Sequence, residues 1–472
     1  MRRTKIVCTI GPATAAAGTI RELVQGGMDV ARVNLSHGDR DTHARVIRRV
    51  KEAAAAEGRP VAILADLQGP KIRIGRLDLP VELEPDDEVV LAPEGDVGPG
   101  ELPTTYSHLA RDLKAGDRVL LDDGLLELRA EGVDGDRVHL RVVRGGVLGS
   151  HKGISIPSGA ASAPSLTEKD LGDLAFVLEE GVECVGLSFV RAGWDVRNLK
   201  ARIGGQALTV AKIELACALE HLDEILEAGD LVMVARGDLG VELPFEEVPL
   251  AQKRLIQKSN FHARPVITAT QMLESMIEHP RPTRAEASDV ANAVLDGTDA
   301  VMLSGETAVG RYPLLALDAL VRIIREIEAS GVLEAGPRYV ASPGPDGRTG
   351  ATRREHAVAS ATVNALKTLD APAVLVITRS GFSARLVASH RPPVPIFAVT
   401  TDPLTYRQLA PVWGVIPLLA SESEVSYEAL RDFGSRAIVA SGLGVPGDTV
   451  VVTAGFPFHQ SGSTNTLRVE HL

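Results

Sequence analysis

The chain has 472 residues, 44% hydrophobic and 24% charged, with a formal net charge of −12 at pH 7. This length predicts about three domains, and the negative charge argues against a nucleic-acid surface as the main function. No apolar stretch reaches the roughly 20 residues of a membrane span, and a strand pattern begins too early for a signal peptide, so we expect a cytoplasmic protein without a membrane partner.

Eight short apolar runs, nearly all closing on a polar residue, follow one another along the chain. Segments with helical periodicity, such as 42–57 and 248–264, lie between most of them. Eight strand–helix units predict a parallel (β/α)8 TIM barrel, whose chemistry lies at the C-terminal ends of the strands. The predicted strands are 4–10, 29–35, 61–67, 184–189, 208–213, 231–235, 265–269 and 300–303.

Two of these runs, 210–214 (VAKIE) and 234–240 (VARGDLG), end in charged residues that a buried strand does not tolerate unless they serve a site. Glu214 and Asp238 offer carboxylate oxygens for a divalent cation, and Lys212 offers an ammonium for charge on a transferred group. This combination predicts phosphoryl transfer.

The pattern changes after the third strand and again near residue 336. Over 74–153 short β-like runs alternate with turn signals, which predicts a small β-barrel lid inserted in a barrel loop. The barrel then comprises 1–73 and 154–335. Residues 336–350 are rich in Pro, Gly, Ser and Arg and are typical of a linker, and 351–472 predict an open α/β domain.

Seven motifs, in order and over nearly the whole chain, resemble the pyruvate kinase family. The resemblance implies a barrel, an inserted lid and a C-terminal regulatory domain. It also implies glycolytic transfer of a phosphoryl group from phosphoenolpyruvate to ADP, giving pyruvate and ATP, by a homotetramer. The motifs are 4–12 (TKIVCTIGP), 31–38 (ARVNLSHG), 66–73 (DLQGPKIR), the segments around Lys212 and Asp238, 268–276 (TATQMLESM), 282–286 (PTRAE) and 302–307 (MLSGET).

The resemblance also implies roles for individual residues. Glu214 and Asp238 would hold Mg²⁺ or Mn²⁺, and a second Mg²⁺ would arrive with the nucleotide. Arg32, Arg73 and Lys212 would surround the moving phosphate, with Lys212 also stabilising the enolate oxygen.

The substrate carboxylate is expected at the backbone N–H groups of Gly237 and Asp238, where a helix or turn begins. Thr270 resembles the threonine near this carboxylate and near the carbon that must be protonated. The proton donor is left open between a side chain and a water relay. The role of Glu306 is left open between capping the following helix and bonding within the barrel mouth.

One segment of the sequence bears on whether catalysis needs potassium. Many family members hold potassium near the residues that correspond to Asn34, Ser36 and Asp66, and carry a glutamate after the Gly-Pro dipeptide. Here that position is Lys71, flanked by Leu67, Gln68 and Ile74, a combination that resembles the family's potassium-independent branch. Because an ammonium can supply the single positive charge of the ion, we expect catalysis without potassium.

Residues 378–384 (TRSGFSA) end a strand and begin a helix with small residues, as a phosphate nest does. They resemble the family's effector loop for sugar phosphates or nucleotides, with 455–465 as a second wall, although an ordinary strand-to-helix turn fits the bare pattern equally. At 152–159 (KGISIPSG) the chain departs from the usual family sequence of the lid hinge. The candidate effector residues are Thr378, Arg379, Ser380, Gly381 and Ser383.

Two alternatives stay open. A metal-dependent barrel lyase or aldolase acting on pyruvate or phosphoenolpyruvate would use a similar metal site, but the lid and the paired arginines argue against it. A catalytically silent effector-binding protein would retain the barrel for structure, but intact Lys212, Glu214 and Asp238 argue against that reading.

Overall fold

The computed structural model describes residues 2–156, 162–335, 353–421, 426–455 and 464–472, and it begins with alternating strands and helices. The first helix ends where Gly27 takes a left-handed conformation (φ 117°) and donates to the carbonyl of Leu23. The second begins after Asp39, whose side chain accepts from the Thr42 N–H. These elements are β1 (Lys5–Thr9), α1 (Ala17–Gly26), β2 (Val30–Asn34), α2 (Arg40–Ala56) and β3 (Ala62–Asp66).

The β domain expected after the third strand is confirmed. Within the described residues its strands pair as a six-stranded sheet, in the order β11-β7-β8-β9-β5-β6, and a separate two-stranded ribbon of β4 and β10, not as one closed ring. One apolar core, which includes Leu91, Val119 and Leu140, lies beneath them. The elements are β4 (Val81–Leu83), β5 (Glu88–Pro93), β6 (Leu102–Thr104), α3 (Leu109–Asp112), β7 (Arg118–Leu121), β8 (Leu126–Asp134), β9 (Arg137–Arg144), β10 (Gly146–Leu148) and β11 (Ile154–Ser155).

The chain then returns to strand–helix alternation. The strands are β12 (Cys184–Leu187), β13 (Leu208–Ile213), β14 (Leu231–Ala235), β15 (Val266–Ala269) and β16 (Ala300–Leu303). The helices are α4 (Glu168–Glu179), α5 (Gly193–Ile203), α6 (Ala216–Glu220), α7 (Leu222–Ala228), α8 (Arg236–Glu242), α9 (Val248–Phe261), α10 (Arg284–Asp296), α11 (Gly305–Ala308) and α12 (Pro313–Ala329), with 3₁₀ turns at Glu274–Ile277 and Val332–Ala335.

Eight parallel strands close into the predicted TIM barrel, in the order β1-β16-β15-β14-β13-β12-β3-β2. The ring closes between β1 and β16, where Lys5 pairs with Ala300. On either side of the inserted domain, Asp66 of β3 pairs with Gly186 of β12. The two ends of that domain also meet, because Arg73 bridges to Gly153. The C-terminal ends of all eight strands therefore open toward the lid.

The C-terminal segment forms the predicted open α/β domain. Its sheet has the order β19-β18-β17-β20-β21, and only the last pairing is antiparallel. The predicted linker 336–350 lies outside the described residues. The elements are α13 (Arg353–Leu369), β17 (Val374–Ile377), α14 (Phe382–Ser389), β18 (Ile396–Thr400), α15 (Pro403–Gln408), β19 (Val415–Leu419), α16 (Tyr427–Ala440), β20 (Thr449–Ala454) and β21 (Thr466–His471).

The C-terminal domain contacts the barrel at the N-terminal ends of the strands. Arg391 pairs with Asp299, which precedes β16, at 3.0 Å, and Arg407 pairs with Glu183, which precedes β12, at 2.5 Å. This domain therefore lies on the opposite side of the barrel from the lid. Among the described helices, none has both the length and the apolar character of a membrane span.

Candidate active site

The Lys212 ammonium lies among three oxygen acceptors at the C-terminal mouth of the barrel. Its Nζ is 2.7 Å from Oε1 of Glu214, 3.2 Å from Oδ1 of Asp66 and 2.7 Å from Oγ of Ser188. Burial favours the neutral amine, but the two carboxylates outweigh burial and raise the pKa of Lys212. The side chain therefore remains a buried cation.

Asp66 holds a second cation beside the first. Its Oδ2 accepts from Nε and Nη2 of Arg32 at 2.8 and 2.6 Å, and Nη1 of Arg32 donates to Thr9 at 3.1 Å. Burial acts to raise the pKa of Asp66, but Lys212 and Arg32 together lower it. Asp66, which was predicted only for the monovalent-cation region, thus fixes Arg32 and Lys212, two of the predicted catalytic cations.

Glu214 is held in a defined orientation. Its Oε2 accepts from the Phe189 N–H at 2.7 Å, and Phe189 has a left-handed backbone (φ 54°). Burial raises the pKa of Glu214, against the opposing charge of Lys212 and with a contribution from Asp238. Asp238, the third residue of α8, is exposed.

A cleft of about 390 Å³ lies between the barrel mouth and the lid. On its lid side Lys152 pairs with Asp122 at 2.8 Å, so the hinge segment that departs from the family sequence forms part of this wall. Residues 157–159 of that segment lie outside the described residues. The lining includes Lys71, Arg73, Asp122, Lys152, Glu214 and Asp238.

Lys71 lies in a positively charged part of this cleft. Burial, followed by the charges of Arg73 and Lys212, lowers the pKa of Lys71, while Asp238 and Glu214 oppose this shift. Oδ1 of Asn34, at the end of β2, accepts from the Ser36 N–H at 3.1 Å. Lys71 lines the same cleft as the two predicted metal-binding carboxylates.

Thr270 and Gly237 are in direct contact. Oγ1 of Thr270 accepts from the Gly237 N–H at 2.8 Å and donates to the Ala269 carbonyl at 2.7 Å. The Gly237 N–H, predicted to receive a substrate carboxylate, is therefore bonded to Thr270 in this structure.

Glu306 bonds within the barrel mouth. Its Oε1 accepts from the Leu273 N–H at 3.0 Å and its Oε2 from the Ser304 N–H at 2.7 Å. Burial raises the pKa of Glu306. These bonds tie the loop after β15, which carries Thr270, to the end of β16.

Three residues at the site were not predicted. Ser188 accepts from Lys212 and donates to the Leu67 carbonyl at 2.8 Å. Phe189 supplies the N–H to Glu214, and Arg236 donates to the Thr270 carbonyl at 2.5 Å. The only sequence signal for Ser188 is its place at a strand end, and Phe189 acts through its backbone, for which no signal exists.

The candidate effector loop packs against the second wall at one described point. Ser383 and Thr464 share a hydrogen bond of 2.6 Å between their hydroxyl groups. Gly381 has φ 74° immediately before α14, and the Arg379 carbonyl accepts from Thr405 at 2.9 Å. Residues 456–463 of that wall lie outside the described residues.

Comparisons with known proteins agree over the whole chain. Residues 1–317 match the family model described as pyruvate kinase, barrel domain, and residues 356–470 match pyruvate kinase, alpha/beta domain. A curated pyruvate kinase of Mycobacterium tuberculosis (strain H37Rv) is 46% identical, covering 100% of this chain and 98% of that protein. One of Geobacillus stearothermophilus is 44% identical, covering 99% and 80%. The crystal structure of a pyruvate kinase from Cryptosporidium parvum matches with a TM-score of 0.91 and 32% identity, covering 100% and 96%.

Proposed function

Since this chain belongs to the pyruvate kinase family and is a phosphotransferase, we propose that Lys212, Glu214 and Asp238 form the centre of its active site. The family takes phosphoenolpyruvate and ADP and gives pyruvate and ATP. The observation that carries the proposal is the Lys212 ammonium, buried and held between Asp66 and Glu214 at the barrel mouth.

Arg32, Arg73 and Lys212 would take distinct positions around the phosphate. Arg32 and Lys212 share Asp66, so both are fixed before substrate binds. Arg73 lines the cleft on the lid side. Because phosphoryl transfer depends mainly on positioning and on neutralising charge, cations fixed in advance lower the barrier without further reorganisation.

Glu214 and Asp238 would bind the divalent cation. Within the described residues there is no cluster of three or more His, Cys, Asp or Glu side chains suited to a metal. Two carboxylates nevertheless fit Mg²⁺, which commonly keeps several waters and takes its remaining ligands from substrate phosphates. When bound, the ion would supply charge for the phosphate, and Mn²⁺ could replace it.

Thr270 would orient the substrate carboxylate beside the N–H groups of Gly237 and Asp238. Its hydroxyl already bonds to Gly237, so substrate would have to share or replace that bond. Thr270 would then lie near the enolate carbon during protonation, with the proton coming from a side chain or a water relay.

A pyruvate-release assay with phosphoenolpyruvate, ADP and Mg²⁺ tests the function. Lys212→Met should lower kcat by on the order of 10²–10³-fold. Lys258→Met is the matched control, because Lys258 pairs with Asp223 outside the site at 2.6 Å. Pyruvate release without stoichiometric ATP would contradict phosphoryl transfer to ADP, and ligand binding without turnover would favour the silent effector-binding protein.

Catalysis without potassium is the second part of the proposal. Both oxygens of Asp66 face cations of the protein, and Asn34 already bonds to Ser36, so these potential potassium ligands are engaged. Lys71 supplies a positive charge close to Glu214 and Asp238. Activity should stay constant when tetramethylammonium is exchanged for potassium at fixed ionic strength, and a many-fold rise would overturn this part.

Control by a sugar phosphate or nucleotide at 378–383 is the third part. The contact between Ser383 and Thr464 supports a pocket with two walls. Ser383→Ala should abolish the response of the phosphoenolpyruvate KM to the effector. Ser389→Ala, on the same helix, is the control. A response that survives Ser383→Ala would locate the effector elsewhere.

The homotetramer rests on the family resemblance alone, and the cytoplasmic location stays the expectation drawn from the sequence pattern. Sedimentation of the purified chain at several concentrations tests the first. A single species of about four times the 50.0 kDa chain mass would support it, and a monomer would contradict it.

A further inference from the structure

The loop after β15 contains two successive left-handed residues that are not glycine. Thr270 has φ 64° and Gln271 has φ 53°. For a β-branched residue such as threonine this conformation is strained. Strain of this kind persists only where the surrounding structure holds the backbone in place.

The guanidinium of Arg236 provides that restraint. Its Nη2 donates to the carbonyls of Thr270 and Gln271 at 2.5 and 3.1 Å. Its Nε lies 3.2 Å from the Thr270 carbonyl and 3.3 Å from that of Ala269. One side chain therefore bonds to three consecutive carbonyls of the strained turn.

Arg236 is itself fixed from the opposite side. Its Nη1 donates to Asp289 of α10 at 2.5 Å and lies 3.4 Å from Oε1 of Gln252 on α9. The side chain is only 7% exposed. The neighbouring Gly237 N–H donates to the Thr270 hydroxyl. Arg236 and Gly237, adjacent residues of one helical turn, therefore hold the carbonyl and the hydroxyl of Thr270.

We propose that Arg236 is a positioning residue for the reaction, which acts by fixing the hydroxyl of Thr270 against the reacting enolate. This inference rests on the proposed role of Thr270. The Arg236 guanidinium bonds to carbonyls of this loop and to Asp289, so we assign it an effect through Thr270 and no contact with substrate. Its loss would let Thr270 relax from the left-handed region and carry the hydroxyl away from the substrate, while Lys212, Glu214 and Asp238 stay in place.

Arg236→Lys tests the proposal, because an ammonium is a point charge and cannot span three carbonyls. We expect kcat to fall by on the order of 10–100-fold, with a much smaller change in the KM for phosphoenolpyruvate and in Mn²⁺ affinity. Arg391→Lys is the matched control, since Arg391 is equally buried, at 7%, but pairs with Asp299 on the other side of the barrel. Its kcat should remain that of the wild type.

A double-mutant cycle separates positioning from general damage to the fold. Thr270→Ala should lower kcat, and adding Arg236→Lys should cost little more, because the two residues act as one unit. Asp289→Asn keeps the arginine but removes its anchor, and should give a smaller loss of the same kind. Thermal unfolding of each variant checks that the loss occurs in folded protein.

The outcomes distinguish this inference from the proposed function. Wild-type kcat in Thr270→Ala would reject the role of Thr270, and the inference with it. An impaired Thr270→Ala beside an unimpaired Arg236→Lys would reject the inference alone. Fully additive losses in the double variant would also reject it.

Discussion

Nζ of Lys212 lies 2.7 Å from Oε1 of Glu214, which follows it by two positions. The ammonium therefore occupies one side of a carboxylate that we also assign to the divalent cation. The Lys212 ammonium and the divalent cation would share the buried Glu214 carboxylate, and each would weaken the attraction of Glu214 for the other.

Lys212→Met should therefore tighten Mn²⁺ binding by about tenfold even as it lowers kcat, because one competing charge is removed. Free Mn²⁺ measured by electron paramagnetic resonance reports the affinity directly. Lys258→Met should leave the affinity unchanged. Weaker Mn²⁺ binding in Lys212→Met would show instead that the ammonium serves to orient Glu214.

Gly69→Ala should impair both stability and catalysis. Gly69 has φ 69°, and an added Cβ would lie 2.9 Å from Cδ2 of Phe189 and 3.0 Å from Cβ of Ser188. Displacement of these residues disturbs the hydrogen bonds that hold Glu214 and Lys212. We expect kcat to fall by about tenfold or more.

Gly58→Ala is the control for this variant. Gly58 has φ 58° with no atom within 4 Å of an added Cβ, so it carries the backbone strain without the contact. It should cost about 1–2 kcal/mol of stability and leave kcat unchanged. Equal kcat values for the two variants, measured at saturating substrate, would contradict the prediction.

Arg407→Leu should destabilise the join between the C-terminal domain and the barrel. Glu183 is buried, and without Arg407 its Oε1 loses the partner at 2.5 Å, although Oε2 still accepts from Ile63. Because the Arg407 side chain is 36% exposed, we expect a loss of about 1–3 kcal/mol.

Thermal unfolding measures this loss, with Arg322→Leu as the control. Arg322 forms an exposed pair with Asp318 on one helix, so its loss should cost no more than about 0.5 kcal/mol. Indistinguishable midpoints for the two variants would show that Glu183 gains no stability from its partner.

Two partly buried histidines should make the fold sensitive to mild acid. His356 and His390 lie 3.3 Å apart between ring nitrogens. Burial, with His356 beside it, lowers the pKa of His390 to about 4, and burial also lowers the pKa of His356. In the unfolded chain both titrate near 6.5, so at His390 the unfolded state alone binds a proton between about pH 6.5 and 4.

Stability should accordingly be complete above about pH 6.5 and fall as pH drops toward about 4, by up to about 1.4 kcal/mol per pH unit from His390. The lowered pKa of His356 acts in the same direction. His390→Gln should reduce the slope of the unfolding midpoint against pH. His139→Gln, at an exposed position, should not. Parallel curves for the wild type and His390→Gln would refute this assignment.

The barrel strands were predictable because a parallel strand buried on both faces needs a continuous apolar run, such as 231–235, and ends where polar side chains reach the mouth. Lys212 and Glu214 were predictable from the order of the sequence motifs. Two strands of the C-terminal sheet gave no such signal. Pro417 interrupts β19, which is tolerated because β19 is an edge strand, and β21 is largely exposed.

The missed parts of the site depend on backbone conformation and on contacts between distant segments. Phe189 and Thr270 have a left-handed backbone that phenylalanine and threonine rarely adopt, so local sequence preference does not predict these turns. Arg236 stands within a recognised motif, but its role follows from carbonyls more than thirty positions away. The domain boundaries at 73 and 153 stay predictions.

The bridge between Arg73 and Gly153 affects how the barrel assembles. Strands β3 and β12 are partners, yet the whole lid separates them in the chain. If the lid segment were an unstructured loop, pairing β3 with β12 would cost about 2–3 kcal/mol more in entropy than it would with a short connection. A lid that folds first brings its own ends together and removes most of that cost. The order in which the two domains fold therefore sets how fast the barrel can close.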